Sequence, residues 1–223
     1  MNSRQRNVLI RIIVAVAVFL YIAWIAYKEL PSFDFKVITV FFAMYLLWTV
    51  VAEILIYKDP DSYVIEDDDR RSYIYVQFSF LIALFYAAID FVELNWTRIK
   101  AFEPVIIYFG FALFIVSCLI RWWGFNSLGK YFNPRVAIYE NHVLITEGAY
   151  KKIRHPLYLG TFISVLSFPL IFNSWGALFL ILFLHLPALI YRIEVEEKLL
   201  LKYFGDEYRD YMQMTKRMIP GIW

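Results

Sequence analysis

Long uncharged stretches separated by short polar segments run through the first 125 residues of the chain. A helix needs about 20 largely apolar residues to cross the hydrocarbon core of a bilayer. Four stretches approach this length and have aromatic residues near their ends, where transmembrane helices meet the interface. They are residues 12–27, 37–52 with an extension to 57, 72–89 and 104–120. We interpret all four as transmembrane helices. The first is a retained span rather than a signal peptide, because its apolar part is long and no small-residue cleavage site follows it.

A fifth apolar region, residues 156–191, is too long for one crossing. It runs for 36 residues without an Asp, Glu, Lys or Arg. As a single helix it would be about 54 Å long, against a hydrocarbon core of about 30 Å. Residues 173–176 (Asn-Ser-Trp-Gly) provide the turn residues that a reversal needs. The pattern therefore predicts a helical hairpin with arms 157–172 and 177–191, each short for a full crossing and each containing a proline.

These segments predict an all-α integral membrane protein with about six helical segments, including the C-terminal helical hairpin. We expect two parts, four transmembrane helices in residues 1–125 and a membrane-embedded core in residues 126–223. Six crossings place both termini on one side of the membrane, and most of the 22 Lys and Arg fall on that side. Cytoplasmic loops are enriched in Lys and Arg, so both termini are predicted to be cytoplasmic. The membrane would be a bacterial or archaeal inner membrane or the endoplasmic reticulum.

Composition and charge narrow the class of protein further. The chain is 61% hydrophobic, whereas soluble domains are about 45–50% apolar. A net charge of +2 with scattered basic residues gives no indication of nucleic-acid binding. A single cysteine, Cys118, excludes an intramolecular disulfide and a multi-cysteine zinc site, and no metal is expected. The acidic residues between positions 59 and 69 are interpreted as a solvated loop without an assigned role.

Ionisable residues gather at one mouth of the predicted hairpin. Arg154 and His155 precede Pro156, which suits the first turn of a helix. Both therefore lie at a helix N-terminus, where free backbone N–H groups favour a carboxylate-bearing ligand. Arg192 and Glu196 are four residues apart and share one face of the helix that leaves the hairpin. A surface ion pair worth about 0.2–0.5 kcal/mol is the simpler interpretation of these two. Ionisable residues at the membrane are costly to bury, so we interpret the whole group as a functional site.

Four motifs occur in order in this part of the chain. They are His-x-Leu-Ile-x-x-Gly-x-Tyr from His142, Arg-His-Pro-x-Tyr-x-Gly from Arg154, Arg-x-x-x-Glu-Glu-x-x-Leu from Arg192 and Phe-Gly-x-Glu-Tyr-x-x-Tyr from Phe204. Over about residues 126–220 they resemble the isoprenylcysteine carboxyl methyltransferase family. Members of that family are integral membrane enzymes that hold S-adenosylmethionine in a cytoplasm-facing pocket and take a lipophilic acceptor from the bilayer. The resemblance implies a cytoplasmic cofactor-binding region and an S-adenosylmethionine-dependent methyltransferase.

The resemblance also implies roles for individual positions. The residues that would bind S-adenosylmethionine are His142, Val143, Leu144, Ile145, Tyr150, His155, Pro156, Leu157, Tyr158 and Glu196. Arg192 would be the catalytic residue that binds the acceptor, and its guanidinium suits this role because it can orient a weakly nucleophilic carboxylate. Methyl transfer depends on positioning and on exclusion of water. The implied partners are the lipid bilayer and a lipophilic small-molecule or prenylated acceptor, for example a prenylcysteine, and the oligomeric state stays open.

Two alternative functions stay open. One is an NADPH-dependent membrane reductase of the sterol reductase type, which shares the Arg-His-Pro-x-Tyr signature; the Glu196-Glu197 pair and the His-x-Leu-Ile block favour methyl transfer. The other is a non-enzymatic membrane scaffold or transporter, although transporters usually carry intramembrane charges along a pathway rather than at one mouth. Phospholipid N-methyltransferases and soluble methyltransferases are disfavoured, because no two of the eight glycines are separated by a single residue.

Overall fold

The computed structural model describes residues 26–52, 64–67, 69–132, 136–139 and 141–223, together with scattered positions between residues 12 and 24. The chain divides into two compact units, Met1–Lys58 and Asp59–Trp223. In the first unit, helix α1 covers Ser32–Val51, so the second predicted span is a helix that begins before residue 37. The described positions of the first predicted span are helical. The rest of that span and the extension 53–57 lie outside the described residues.

The second unit is mainly helical. Its helices are α2 (Ser72–Ile89), α3 (Glu103–Leu128), α4 (Pro156–Ile171), α5 (Trp175–Leu180), α6 (Leu186–Phe204) and α7 (Asp206–Met214). A π-helical turn, Asp90–Leu94, extends α2, and another, Ile181–His185, joins α5 to α6. Single 3-10 turns cover Gly129–Tyr131 and Gly148–Lys151. Two short strands, β1 (Val64–Asp67) and β2 (Ala137–Tyr139), pair antiparallel and tie the acidic loop to the segment that follows α3.

Four helical segments among the described residues are long and apolar enough to cross a bilayer. They are Ser32–Val51, Ser72–Leu94, Glu103–Leu128 and Trp175–Phe204. Together with the apolar helix α4 they make the chain an all-α integral membrane protein, as the sequence predicts. The third and fourth predicted spans are helices that run farther than expected, to residues 94 and 128.

The predicted hairpin forms, but its two arms are unequal. The first arm, α4, has 16 residues, whereas the second continues through α6 as one helical segment of 30 residues, Trp175–Phe204. The prediction of a short second arm ending at residue 191 is therefore wrong. Pro187 does not break this helix, because the π-helical turn just before it changes the hydrogen-bond register where the proline lacks an N–H.

Helices α3 and α4 pack closely because glycines line their contact. A side-chain carbon added at Gly110 would lie 2.7 Å from the backbone nitrogen of Ile171. One added at Gly160 would lie 3.2 Å from the backbone nitrogen of Arg121. Small residues allow this close approach, which replaces the hydrophobic driving force that lipid does not supply. The short helix α4 is thereby held against the longer α3 along its length.

The hairpin turns at the predicted place, and polar contacts fix the turn. Asn173 has a positive φ of 46°, and its side-chain amide donates to the carbonyl of Ile99 at 2.7 Å. Ser174 accepts a hydrogen bond from the backbone of Ala177, as an N-cap residue does. Its hydroxyl also donates to the buried carboxylate of Asp90 at 2.7 Å. The chain reversal therefore brings the start of α4 back beside the C-terminal half of α6.

Candidate functional site

The start of α4 and the middle of α6 form the centre of a polar cluster. Tyr158 lies in the first turn of α4, and its hydroxyl donates to an oxygen of Glu196 on α6 at 2.5 Å. The ring of His155 lies 5.5 Å from the Tyr158 ring. The guanidinium of Arg192, one turn before Glu196, lies 5.9 Å from the same ring. Three residues that the motifs single out thus lie around the phenol ring of a fourth, Tyr158.

Arg192 is almost completely buried and binds the start of α2. Its side chain donates through Nη1 to Asp69 Oδ1 at 2.8 Å and to Ser72 Oγ at 3.0 Å. Asp69 belongs to the acidic segment 59–69, of which residues 59–63 and 68 lie outside the described residues. The interpretation of that segment as a solvated loop without a role is wrong for Asp69. A pairing between residues more than 100 positions apart has no signal in local sequence.

Glu197 is the centre of a second, buried ion cluster. One carboxylate oxygen accepts from Arg154 at 2.9 Å and from His155 at 3.2 Å, and the other accepts from Arg217 at 2.8 Å. Arg154 also donates to the carbonyl of Thr215 at 2.5 Å. Neighbouring residues on a helix point in different directions, so Glu196 and Glu197 contact different partners. Glu197 therefore joins the start of α4 to the C-terminal segment after α7.

Sequence reasoning did not identify two members of this cluster. Arg217 lies outside all four motifs, and Glu197 was noted only as part of the Glu-Glu pair. A carboxylate adjacent to the predicted ligand residue was the available signal for Glu197. Arg217 had none, because only the backbone pairing between residues 153–155 and 216–217 brings it to the site.

His142 and Tyr150 lie in the segment before α4, within the electrostatic reach of Glu196. The His142 ring stacks on Tyr131 at 5.4 Å with an interplanar angle of 7°, and it meets the Phe204 ring edge-on at 5.7 Å. Burial lowers the pKa of His142, and the negative charge of Glu196 partly opposes this shift. Burial raises the pKa of Tyr150 well above its usual value, and the charge of Glu196 adds to the effect.

Hydrogen bonds and burial fix the segment around Tyr150. The hydroxyl of Tyr211 on α7 donates to the backbone carbonyl of Tyr150 at 2.6 Å. Ser127 at the end of α3 accepts from the backbone of Ala149 at 3.0 Å. Burial raises the pKa values of Tyr208 and Tyr211, so both phenols stay neutral near pH 7. The segment is therefore held between the last turn of α3 and helix α7.

The remaining predicted residues take different positions. Leu144 and Ile145 are half-buried, whereas the Val143 side chain is 52% exposed. Pro156 is the first residue of α4 and is buried. Leu157 packs against Gly124 of α3, which places it on the face of α4 toward that helix. Direct contacts thus join His155, Tyr158, Arg192 and Glu196. His142 and Tyr150 are linked to this group through the charge of Glu196, and the contact of Leu157 is with α3.

The fold and this cluster define a polytopic α-helical membrane protein with a polar site where a helical hairpin meets the C-terminal helices. Residues 110–202 match the isoprenylcysteine carboxyl methyltransferase (ICMT) family. Over this segment the match confirms the resemblance that the motifs predict.

Individual relatives agree with this assignment. The chain is 31% identical over 135 residues to the protein-S-isoprenylcysteine O-methyltransferase of Schizosaccharomyces pombe, covering 54% of this chain and 56% of that one. It is 29% identical over 102 residues to protein YpbQ of Bacillus subtilis, covering 45% and 61%. The chain thus spans about three fifths of the length of these relatives.

A solved structure shows the same fold. It is described as the eukaryotic intramembrane Ras methyltransferase ICMT, and it matches with a TM-score of 0.56 and 23% sequence identity. The match covers 100% of this chain and 88% of that structure. At this identity the likeness concerns the fold alone.

Proposed function

We propose that the protein is an S-adenosylmethionine-dependent methyltransferase that methylates the carboxylate of a lipophilic, membrane-associated acceptor such as a prenylcysteine. The observation that carries the proposal is the position of Glu196, whose carboxylate binds one motif residue and acts electrostatically on two others. Tyr158 binds this carboxylate directly, and its charge shifts the pKa values of His142 and Tyr150. The names of the relatives support the same activity and do not favour a reductase or a scaffold.

The groups around Glu196 fit the chemical parts of S-adenosylmethionine. Glu196 is an anionic acceptor for its ammonium or ribose hydroxyl groups, and the nearly parallel rings of His142 and Tyr131 are aromatic groups of the kind that stack on a base. Burial favours the neutral form of His142, which suits a positively charged ligand. The proposed binding residues are His142, Val143, Leu144, Ile145, Tyr150, His155, Pro156, Leu157, Tyr158 and Glu196. Of these, Leu157 has the weakest support, because it faces α3.

The chain's own residues position the reaction and exclude water. When bound, S-adenosylmethionine supplies a methyl group on a cationic sulfur, which an acceptor carboxylate oxygen takes up as an ester while the sulfur keeps the bonding electrons. Arg192 is the proposed acceptor ligand, because its guanidinium can orient a carboxylate through two donors. It lies on the helix face of Glu196 and beside Tyr158, so the acceptor would be held next to the proposed cofactor residues. No proton has to leave the carboxylate, and the chain therefore needs no general base.

The membrane arrangement extends this proposal. We place the site, and with it both termini, on the cytoplasmic side, since most Lys and Arg lie there. The membrane would be a bacterial or archaeal inner membrane or the endoplasmic reticulum. Residues 126–223 would form the methyltransferase core, with residues 1–125 as its membrane support, and the lipophilic part of the acceptor would enter from the bilayer.

A direct assay tests the proposed function. Purified protein in detergent is incubated with tritiated S-adenosylmethionine and N-acetyl-S-farnesylcysteine, and base-labile methyl ester is counted as released methanol. We expect ester formation by the wild-type protein and its loss with the methyl ester of the acceptor, which has no free carboxylate. Calorimetry with S-adenosylhomocysteine and with NADPH distinguishes the methyltransferase from the reductase. Binding of NADPH alone would contradict the proposal.

A further inference from the structure

Asp69 already binds the guanidinium that the proposed function assigns to the acceptor. Its Oδ1 accepts from Arg192 Nη1 at 2.8 Å, and Ser72 Oγ shares that donor at 3.0 Å. The Ser72 hydroxyl itself lies 3.2 Å from Asp69 Oδ1. Arg192 thus has a carboxylate partner from its own chain, of the same chemical type as the proposed substrate.

Asp69 is the more exposed member of this ion pair. The Arg192 side chain is 6% exposed, whereas that of Asp69 is 23% exposed. A ligand carboxylate that binds Arg192 Nη1 comes close to the Asp69 carboxylate, which occupies that nitrogen. Two carboxylates on one nitrogen repel each other, and this repulsion is strong where little water is present to screen it. The two carboxylates consequently compete for Arg192 Nη1.

The start of α2 keeps Asp69 close to Arg192. Asp69 Oδ2 accepts from the backbone N–H of Tyr73 at 3.1 Å, so the side chain satisfies one of the free donors in the first turn of α2. Arg70 and Arg71 follow with φ values of 46° and 60°, a region that side chains other than Asn and Asp rarely adopt. These two conformationally strained residues directly follow Asp69 in the chain. A tethered carboxylate has a high effective concentration, which a freely diffusing one lacks.

We propose that Asp69 competes with the acceptor carboxylate for Arg192 and thereby lowers the affinity for every acceptor. This inference rests on the proposed function. An acceptor must displace Asp69, so its apparent affinity is reduced by the fraction of molecules in which Arg192 is available. Small soluble carboxylates have no further source of binding energy to offset this competition. Acceptors with a lipophilic tail gain additional binding energy from the membrane side and can do so.

The variant Asp69→Asn tests the competition directly. The amide oxygen of Asn can still accept from the Tyr73 N–H, so α2 keeps this contact in its first turn, but the competing charge is gone. We expect the KM of N-acetyl-S-farnesylcysteine to fall about tenfold, which corresponds to Arg192 being available in roughly one molecule in ten of the wild type. The kcat and the affinity for S-adenosylhomocysteine should not change. The same factor should apply to an S-hexyl acceptor, because the tail does not contact Asp69 in this scheme.

Equilibrium binding and two further variants complete the experiment. The Kd of tritiated N-acetyl-S-farnesylcysteine, measured without cofactor, should fall by the same factor. Asp69→Glu keeps the charge and should retain a KM near that of the wild type. Asp206→Asn removes a carboxylate that is 88% exposed at the start of α7, and it should leave the KM unchanged.

The outcomes distinguish competition by Asp69 from a role of Asp69 in positioning Arg192. A lower KM with unchanged kcat supports the competition. An unchanged or higher KM, or a lower kcat, in an active protein overturns it and shows that Asp69 instead holds Arg192 in its working position. A wild-type protein that neither binds nor methylates the acceptor overturns the proposed function, and the inference with it.

Discussion

Tyr158 and Glu196 lie on different helices, 38 positions apart, and their side chains share a hydrogen bond of 2.5 Å. The contact joins the first turn of α4 to the middle of α6 and leaves the adjacent Glu197 to a separate cluster of cations. The two neighbouring carboxylates therefore have separate partners, and their substitution should have different effects.

Glu196→Gln should weaken the binding of S-adenosylmethionine by at least about tenfold, or on the order of 1.4 kcal/mol. The change removes the negative charge that favours a cationic ligand and keeps the shape of the side chain. Calorimetry on detergent-purified protein measures the dissociation constant. Glu194→Gln is the matched control, since it changes the same group on the same helix and should bind normally. Equal affinity of Glu196→Gln and the wild type would remove Glu196 from the proposed site.

Arg192→Ala should reduce methyl transfer while cofactor binding stays nearly intact. The loss of one charge-assisted contact in a site shielded from water is worth about 2–4 kcal/mol, or roughly 30- to 1000-fold in rate. Arg192→Lys should restore only part of the activity, because an ammonium group lacks the planar fork of a guanidinium. Loss of cofactor binding in Arg192→Ala would instead assign the residue to the cofactor site.

Glu197→Gln should destabilise the protein rather than change its ligand affinity. It leaves Arg154 and Arg217 without the carboxylate that neutralises them, and breaking a buried ion pair costs about 3–5 kcal/mol. Thermal unfolding of detergent-solubilised protein should therefore begin at a clearly lower temperature than for the wild type or Glu196→Gln. A midpoint equal to that of the wild type would show that the cluster contributes little to stability.

The protein should be less stable in mild acid than at neutral pH, and His142 should contribute to this loss of stability. Burial lowers its pKa below that of an unfolded histidine, which is about 6.5. The unfolded chain therefore binds more protons below about pH 6.5, so the contribution of His142 is complete above that pH and is lost as the pH falls toward its folded-state value. His142→Phe preserves an aromatic ring against Tyr131 but cannot bind a proton. The difference in unfolding midpoint between pH 7.5 and pH 5.5 should be smaller in this variant, and an equal difference would contradict the assignment.

Competition by Asp69 predicts a lower acceptor KM and an unchanged kcat in Asp69→Asn. This effect on the acceptor is opposite in sign to the effect of Arg192→Ala. Removal of the arginine weakens acceptor binding, whereas removal of its internal partner strengthens it. The double variant Asp69→Asn with Arg192→Ala should behave like Arg192→Ala alone, because there is no guanidinium left to compete for.

The chain reversal within residues 156–191 follows from the sequence alone. An uncharged run nearly twice the thickness of a bilayer core has to reverse, and Asn173 and Ser174 stand where it does. The helical class and the family motifs are likewise properties of consecutive residues. They depend on hydrophobic length and on spacing along one helix, which a linear sequence contains in full.

Tertiary structure alone decided the partners of the charged residues. The sequence places Glu196 and Glu197 side by side and cannot say which one meets Tyr158 and which one meets Arg154 and Arg217. It likewise gives no reason for Asp69 to bind Arg192, 123 positions away. Such pairs form because helix packing brings distant ends together in a place with little water, where each buried charge has to find a partner. That packing sets which groups of a neighbouring helix each side chain meets.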